Sequence, residues 1–323
     1  GRFDDAGAGL VRARVLWSAV EPNDHSPPIR DWSMSDAIVR AAADRGLTVL
    51  LNLYDNPAWA ASTSCGAIDR APLSRYADFV FETVERYDAD GFRDAPGSPL
   101  VAAYEIYNEP DFDSADNAAN PWFGDPANGS GGCFGHDPAA YAEVLRTAWL
   151  AARSADPLAI VVFGAVAYDR FVDNEDFSPA GPFRYAFVRD VILASYARYG
   201  REPGWPFFDF MAFHNYNEFR DNWDGERGRD PEIVGKAAHL RANQLHRPGI
   251  YDLSSMPVIS TEVGIAAGPS DEWTERSEAY QAMYVGQVFV RALEARLELV
   301  VWYTTEDYAT GACADPYAWL TVG

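Results

Sequence analysis

Seven short apolar runs alternate along this chain with amphipathic stretches, and that order restricts the fold more than any single motif. The runs cover 10–17, 47–54, 100–108, 158–167, 207–216, 257–262 and 297–303. Several are near-continuous Val, Leu, Ile and Phe, as expected of parallel strands covered on both faces. The helical patterns fall between them, at 35–45, 74–87, 138–154, 183–199, 231–246 and 271–296. Strict strand–helix alternation builds a parallel sheet through right-handed crossovers. No internal repeat or linker interrupts it, so one α/β domain over 1–323 is expected, a (β/α)8 TIM barrel. Such a barrel has eight strands. With seven runs in view, it is expected to lack its first strand and helix and its last helix, and so to be incomplete at both ends. The rival architecture, an open doubly wound sheet, binds its ligand at a strand-order switch. No phosphate-cradling loop supports it: Gly7-Ala8-Gly9 precedes a strand instead of following one.

A formal charge of −22 argues against nucleic acid and anionic membranes as partners. No apolar run is long enough to span a bilayer. Ten Trp and seventeen Tyr supply flat rings with a polar edge, which suit the faces of sugars. The five histidines form no pair at metal-ligand spacing and the three cysteines form no CxxC, so neither a metal nor a cofactor is expected. His239 and His246 share one helical stretch and are expected on its surface. A GxSxG elbow is absent, which removes the support for Ser-His-Asp chemistry. Cys65 and Cys133 fall in loops after consecutive strands, where a bridge between them would suit a secreted protein, extracellular or periplasmic. Cys313 would then be left over.

Two of the apolar runs end in glutamates. One reads Tyr104-Glu105-Ile106-Tyr107-Asn108-Glu109-Pro110, the other Val258-Ile259-Ser260-Thr261-Glu262-Val263-Gly264. Carboxylates at the C-terminal ends of buried parallel strands sit where barrel enzymes keep their chemistry. Two of them, from different strands, are what cleavage of a glycosidic bond needs. Glu109 reads as the general acid that protonates the leaving oxygen, and Glu262 as the nucleophile. Side chains alternate along a strand, so Glu105, Tyr107 and Glu109 should share a face, with Asn108 joining them only if the strand end twists. His214 and Tyr216 should share a face of their own strand, and a Tyr216 hydroxyl donating to Glu262 would hold that carboxylate ionised. Arg12 lies in an apolar strand, where a lone charge is costly. Glu105 is its natural partner, and Glu262 an alternative. Trp302 reads as the floor of a sugar subsite or as plain core. The loops 111–137, with Trp122 and Phe123, and 217–230, with Trp223, read as walls of the site.

Together these residues resemble clan A of the glycoside hydrolases. The likeness rests on Val11-Arg12, Trp17-Ser18-Ala19-Val20-Glu21-Pro22, Pro57-Ala58-Trp59-Ala60, Tyr104 through Pro110, His214-Asn215-Tyr216, Thr261-Glu262 and Trp302. The Trp-Ser-Ala-Val-Glu-Pro run and the Asn-Glu-Pro are similar to families 39 and 5. The resemblance implies a retaining β-glycosidase acting on oligo- or polysaccharides, with Glu109 as acid/base and Glu262 as nucleophile. It further implies Asn108 on the sugar 2-hydroxyl, Tyr216 orienting the nucleophile, His214 and Trp302 lining the −1 subsite, and Arg12 supporting the nucleophile from below. A catalytically silent carbohydrate-binding barrel is the reading from another class, since fold does not fix function. A binder has no need of both glutamates.

Overall fold

The computed structural model describes residues 7–113, 133–168, 183–216, 233–265 and 278–303. The chain forms two compact units, 1–166 with 178–211, and 167–177 with 212–323. Trp122, Phe123, Trp223 and Cys313, with most of their loops and residues 1–6, lie outside the described residues.

The first unit runs β1 (Leu10–Leu16), a short helix α1 (Trp17–Val20), α2 (Ser33–Ala43), β2 (Thr48–Tyr54), α3 (Leu73–Arg86), β3 (Ala103–Ile106), α4 (Pro138–Ala155), β4 (Ile160–Val166) and α5 (Phe187–Tyr199). Its four strands pair in chain order, each parallel to the next. The register sets Arg14 beside Asn52, Asn52 beside Glu105 and Glu105 beside Val162. One face therefore carries a row of polar groups across the first three strands. Helices cover the sheet because their sequences repeat apolar residues at helical spacing: α3 buries Tyr76, Phe79, Val80, Thr83 and Val84. Helix α4 buries Tyr141, Val144, Leu145 and Ala148, and starts on an Asp137 side chain that accepts from the Ala140 N–H at 3.0 Å.

Trp17 is fully buried among Trp59, Tyr76 and Phe79. The loop behind it is tied down by Glu21, a buried carboxylate that accepts from Arg75 at 2.6 Å, Arg30 at 2.8 Å and the Trp17 indole at 3.2 Å. A charge placed so deep needs such partners. The expected disulfide forms: Cys65, after β2, is bonded to Cys133, after β3.

The second unit takes in most of β5 (Phe210–Tyr216), then α6 (Ile233–His239), which runs into a π-helical turn at Leu240–Gln244. A small hairpin follows, β6 (His246–Arg247) with β7 (Tyr251–Asp252), and then β8 (Val258–Gly264), α7 (Glu278–Glu294) and β9 (Val300–Trp302). The order β5-β8-β9 again follows the chain. Strand β8 is buried at every residue, its polar Ser260, Thr261 and Glu262 included, so both of its faces are covered. All seven expected strands form, within a few residues of their expected ends. His239 departs from expectation. It is buried, with its ring nitrogen 3.1 Å from the Asn243 amide. It lies three residues after the buried Lys236, so both fall on the covered side of the helix. Among the described residues, no helix is long and apolar enough to cross a membrane.

Candidate active site

The four residues of β3 end at Ile106, and the chain then leaves the strand abruptly. Tyr107 and Glu109 take φ of 64° and 46°, the left-handed region that non-glycine residues seldom adopt. Neighbouring strands hold this shape. The Tyr107 N–H donates to Leu53 O at 2.9 Å, the Asn52 amide donates to Tyr107 O at 2.9 Å, and the Glu109 N–H donates to Ala165 O at 3.1 Å. Gly164 makes the closest approach. A Cβ there would fall 2.3 Å from Ile106 O and 2.7 Å from Tyr107 O, so only hydrogen fits. The Tyr141 hydroxyl bridges the same spot, donating to Ile106 O at 2.8 Å and accepting from the Gly164 N–H at 2.9 Å.

This turn overrides the expected alternation. Tyr107 does not share the side of Glu105: its ring packs on Tyr76, Phe134 and Tyr141, and its hydroxyl donates to Asn56. Burial holds the phenols of Tyr107 and Tyr141 well above their ordinary pKa, so both remain neutral. Asn108 takes the place the pattern had reserved for Tyr107. Arg12 grips both acceptors there, donating from Nε to Glu105 Oε2 at 2.6 Å and from its terminal nitrogen to Asn108 Oδ1 at 2.8 Å. Glu105 also accepts from the Ala165 N–H at 3.2 Å. With its oxygen turned to Arg12, the Asn108 amide offers its NH2 in other directions. Glu109 follows directly, half-buried.

In the second unit, β5 delivers His214, Asn215 and Tyr216, all buried, and β8 delivers Glu262, 5% exposed. The Tyr216 hydroxyl donates to Glu262 Oε2 at 2.6 Å, and His214 Nε2 lies 3.6 Å from Glu262 Oε1. A hydroxyl donor on the charged carboxylate favours its ionised form and fixes its orientation. Gly264 leaves room for this arrangement, since a Cβ there would lie 2.7 Å from Tyr303 O and 3.1 Å from the Tyr216 ring. Sequence reasoning passed over Lys236, which is 1% exposed on α6 and donates to His214 O at 2.6 Å. Its ammonium fixes the end of β5 from behind. Lysine is so seldom buried that only its place in the apolar pattern Ile233, Lys236, Ala237, Leu240 could have signalled it.

Trp302 is half-buried and packs on Tyr284 of α7, with ring centroids 6.4 Å apart. The ring beside Tyr216 is that of Tyr303, at 6.5 Å. A register shift in β8 falls between Ser260 and Val263: Ser260 pairs with Val300, but Val263 pairs with Trp302.

No protein-family model matches the chain, and no curated protein matches it. Solved structures do. A glucosidase from Croceicoccus marinus is similar over 94% of this chain and 55% of its own, with TM-score 0.59 and 16% identity. A family 39 glycoside hydrolase from Bacteroides cellulosilyticus WH2 is similar over 94% and 52%, with TM-score 0.55 and 16% identity. An exo-β-1,4-mannosidase from Opitutaceae bacterium strain TAV5 is similar over 94% and 46%, with TM-score 0.55 and 18% identity. The chain thus spans about half the length of these three. At this identity the likeness shows the fold, which is of the (β/α)8 barrel class, and the clan A glycoside hydrolases are among its structural neighbours.

Proposed function

We propose that this chain carries the catalytic residues of a retaining glycoside hydrolase that cleaves β-linked oligo- or polysaccharides. In this reading Glu262 attacks the anomeric carbon while Glu109 protonates the departing oxygen. The bond from the sugar to its aglycone breaks and a glycosyl-enzyme ester forms. Glu109, now a carboxylate, takes a proton from water. The water oxygen then displaces Glu262 and releases the sugar with its original configuration. Asn108 would donate to the sugar 2-hydroxyl through the amide NH2 that Arg12 leaves available. The observation that carries the reading is the Tyr216 hydroxyl on Glu262, a donor that keeps a nucleophilic carboxylate charged and aimed.

The structural neighbours include a glucosidase, a mannosidase, galactanases and a β-xylosidase, which supports neutral β-linked sugars as the substrate class. The net charge of −22 agrees with a carbohydrate partner and opposes nucleic acid or an anionic membrane. The Cys65–Cys133 bridge supports an oxidising compartment, extracellular or periplasmic.

The test is a panel of chromogenic β-glycosides and polysaccharides with the wild-type chain, then with Glu109→Gln and Glu262→Gln. Each variant should stay folded and lose several orders of magnitude in turnover. The Glu109 variant should recover its first step on substrates with a good leaving group, where no proton need be given. NMR of the first-formed product should show retained anomeric configuration. Wild-type-like activity in either variant, or an inverted first product, refutes the assignment.

A further inference from the structure

The loop between α3 and β3 carries a second chemical feature, ahead of the strand whose far end bears Glu109. It reads Asp88-Ala89-Asp90-Gly91-Phe92-Arg93-Asp94. One carboxylate oxygen from each of Asp88, Asp90 and Asp94 lies within 4.8 Å of those of the other two. Backbone N–H groups engage one oxygen of each: Asp90 N donates to Asp88 at 3.2 Å, Phe92 N to Asp90 at 2.7 Å, and Gly91 N to Asp94 at 3.1 Å. These bonds shape the loop but bring no countercharge. The adjacent cation, Arg93, reaches out to Glu82 at 3.6 Å.

Acidic loops of this kind are common on protein surfaces, and three aspartates by themselves are no site. What singles this one out is Glu85, in the last turn of α3. It is 7% exposed, and its Oε1 is buried with no hydrogen-bond partner. Apart from burial itself, the influences on its carboxyl are the charges of Asp88, Asp90, Arg93 and Asp94. The Oδ1 of Asp94 is likewise buried without a partner. The end of α3 thus carries a buried carboxylate whose charged neighbours include the three aspartates. Two oxygens of this group are shut away from water with nothing bonded to them, an arrangement that costs free energy unless a ligand completes it.

We propose that Asp88, Asp90 and Asp94 bind a calcium ion, with the buried Glu85 adding negative charge to the site. Hard oxygen donors select hard cations, and calcium accepts six to eight oxygens in irregular geometry. Three carboxylates on one loop, completed by backbone carbonyls or water, suit it better than the strict octahedron that magnesium demands. The ion would lock the end of α3 to the start of β3 and offset four like charges. Its role is structural and does not depend on the proposed hydrolase activity.

The experiment uses the full chain, dialysed against EGTA and then titrated with calcium chloride. Thermal melting and terbium luminescence, sensitised by the nearby Tyr87, are the two readouts. At a hundredfold excess over Kd, calcium should raise the melting temperature by about 5 °C, and terbium should light up in competition with calcium. The double variant Asp90→Asn/Asp94→Asn should lose both responses. In EGTA it should melt no lower than the wild type, because it removes repulsion from an unfilled site. The proposal is overturned if the wild type shows neither response, if the double variant responds like the wild type, or if the variant melts well below the wild type in EGTA. An equal rise with magnesium chloride at the same concentration overturns the choice of calcium.

Discussion

Replacing Arg12 by Met tests the central claim about the polar row in the first unit. The Arg12 and Glu105 side chains are 5% and 0% exposed, and their nearest atoms are 2.6 Å apart. At an effective dielectric constant near 20, unit charges at that distance attract by about 6 kcal/mol. Withdrawing both ions from water costs several kcal/mol each, so the pair adds little net stability. Breaking it is another matter. Arg12→Met strips a buried carboxylate of its guanidinium and removes the bond to Asn108, at a cost of about 3–5 kcal/mol. A thermal melt should read that as a fall of roughly 6–12 °C. Glu105→Gln in the same background removes the stranded charge, so Arg12→Met/Glu105→Gln should melt well above Arg12→Met alone. The order wild type, double variant, single variant is therefore the prediction, followed by circular dichroism. If the double variant falls by the sum of the two single effects, the pair is not coupled and the argument from desolvation fails. If Arg12→Met melts within a degree of wild type, the pair is not buried as described.

Cys65 and Cys133 are 68 residues apart, so a chain-entropy estimate gives their bridge about 4 kcal/mol; Cys65→Ser/Cys133→Ser should melt markedly lower and, unlike wild type, ignore added reductant. An unchanged melting temperature would contradict this. Gly164→Ala must push its methyl against two backbone carbonyls and the Tyr141 hydroxyl, and should cost several kcal/mol in urea unfolding. Near-neutrality would mean that β4 can shift away from Ile106. Tyr216→Phe removes the hydroxyl donor from Glu262, which raises the carboxylate's pKa. If Glu262 is the nucleophile as proposed, its charged form is then lost at higher pH as the solution is acidified, so the acidic limb of kcat/KM should move up in pH while activity drops about tenfold or more. A limb that stays put would separate Tyr216 from the charge state of the nucleophile.

The strands were legible because burial on both faces writes itself into sequence as short runs rich in Val, Leu, Ile and Phe, with few polar residues among them. β2, β4, β5 and β8 are buried along nearly their whole length. The Arg12–Glu105 pair was legible for a related reason: a charge inside such a run must find its opposite. What alternation misjudged lies at the ends of strands. The left-handed turns at Tyr107 and Glu109 exchange Tyr107 for Asn108 beside Arg12, and the register shift in β8 is a second irregularity, which pairs Val263 with Trp302. Neither irregularity has a local sequence signal, because each is imposed from outside, by Asn52, Ala165 and Gly164 in the first case and by pairing with β9 in the second. Lys236 and Glu85 escaped notice through the opposite bias: charged residues on helices are solvated so often that burial can be read only from what packs around them. Period-two reasoning assumes that a strand continues. In the proposed reading the site residues come from where it stops, so the pattern fails at the positions that would carry the chemistry.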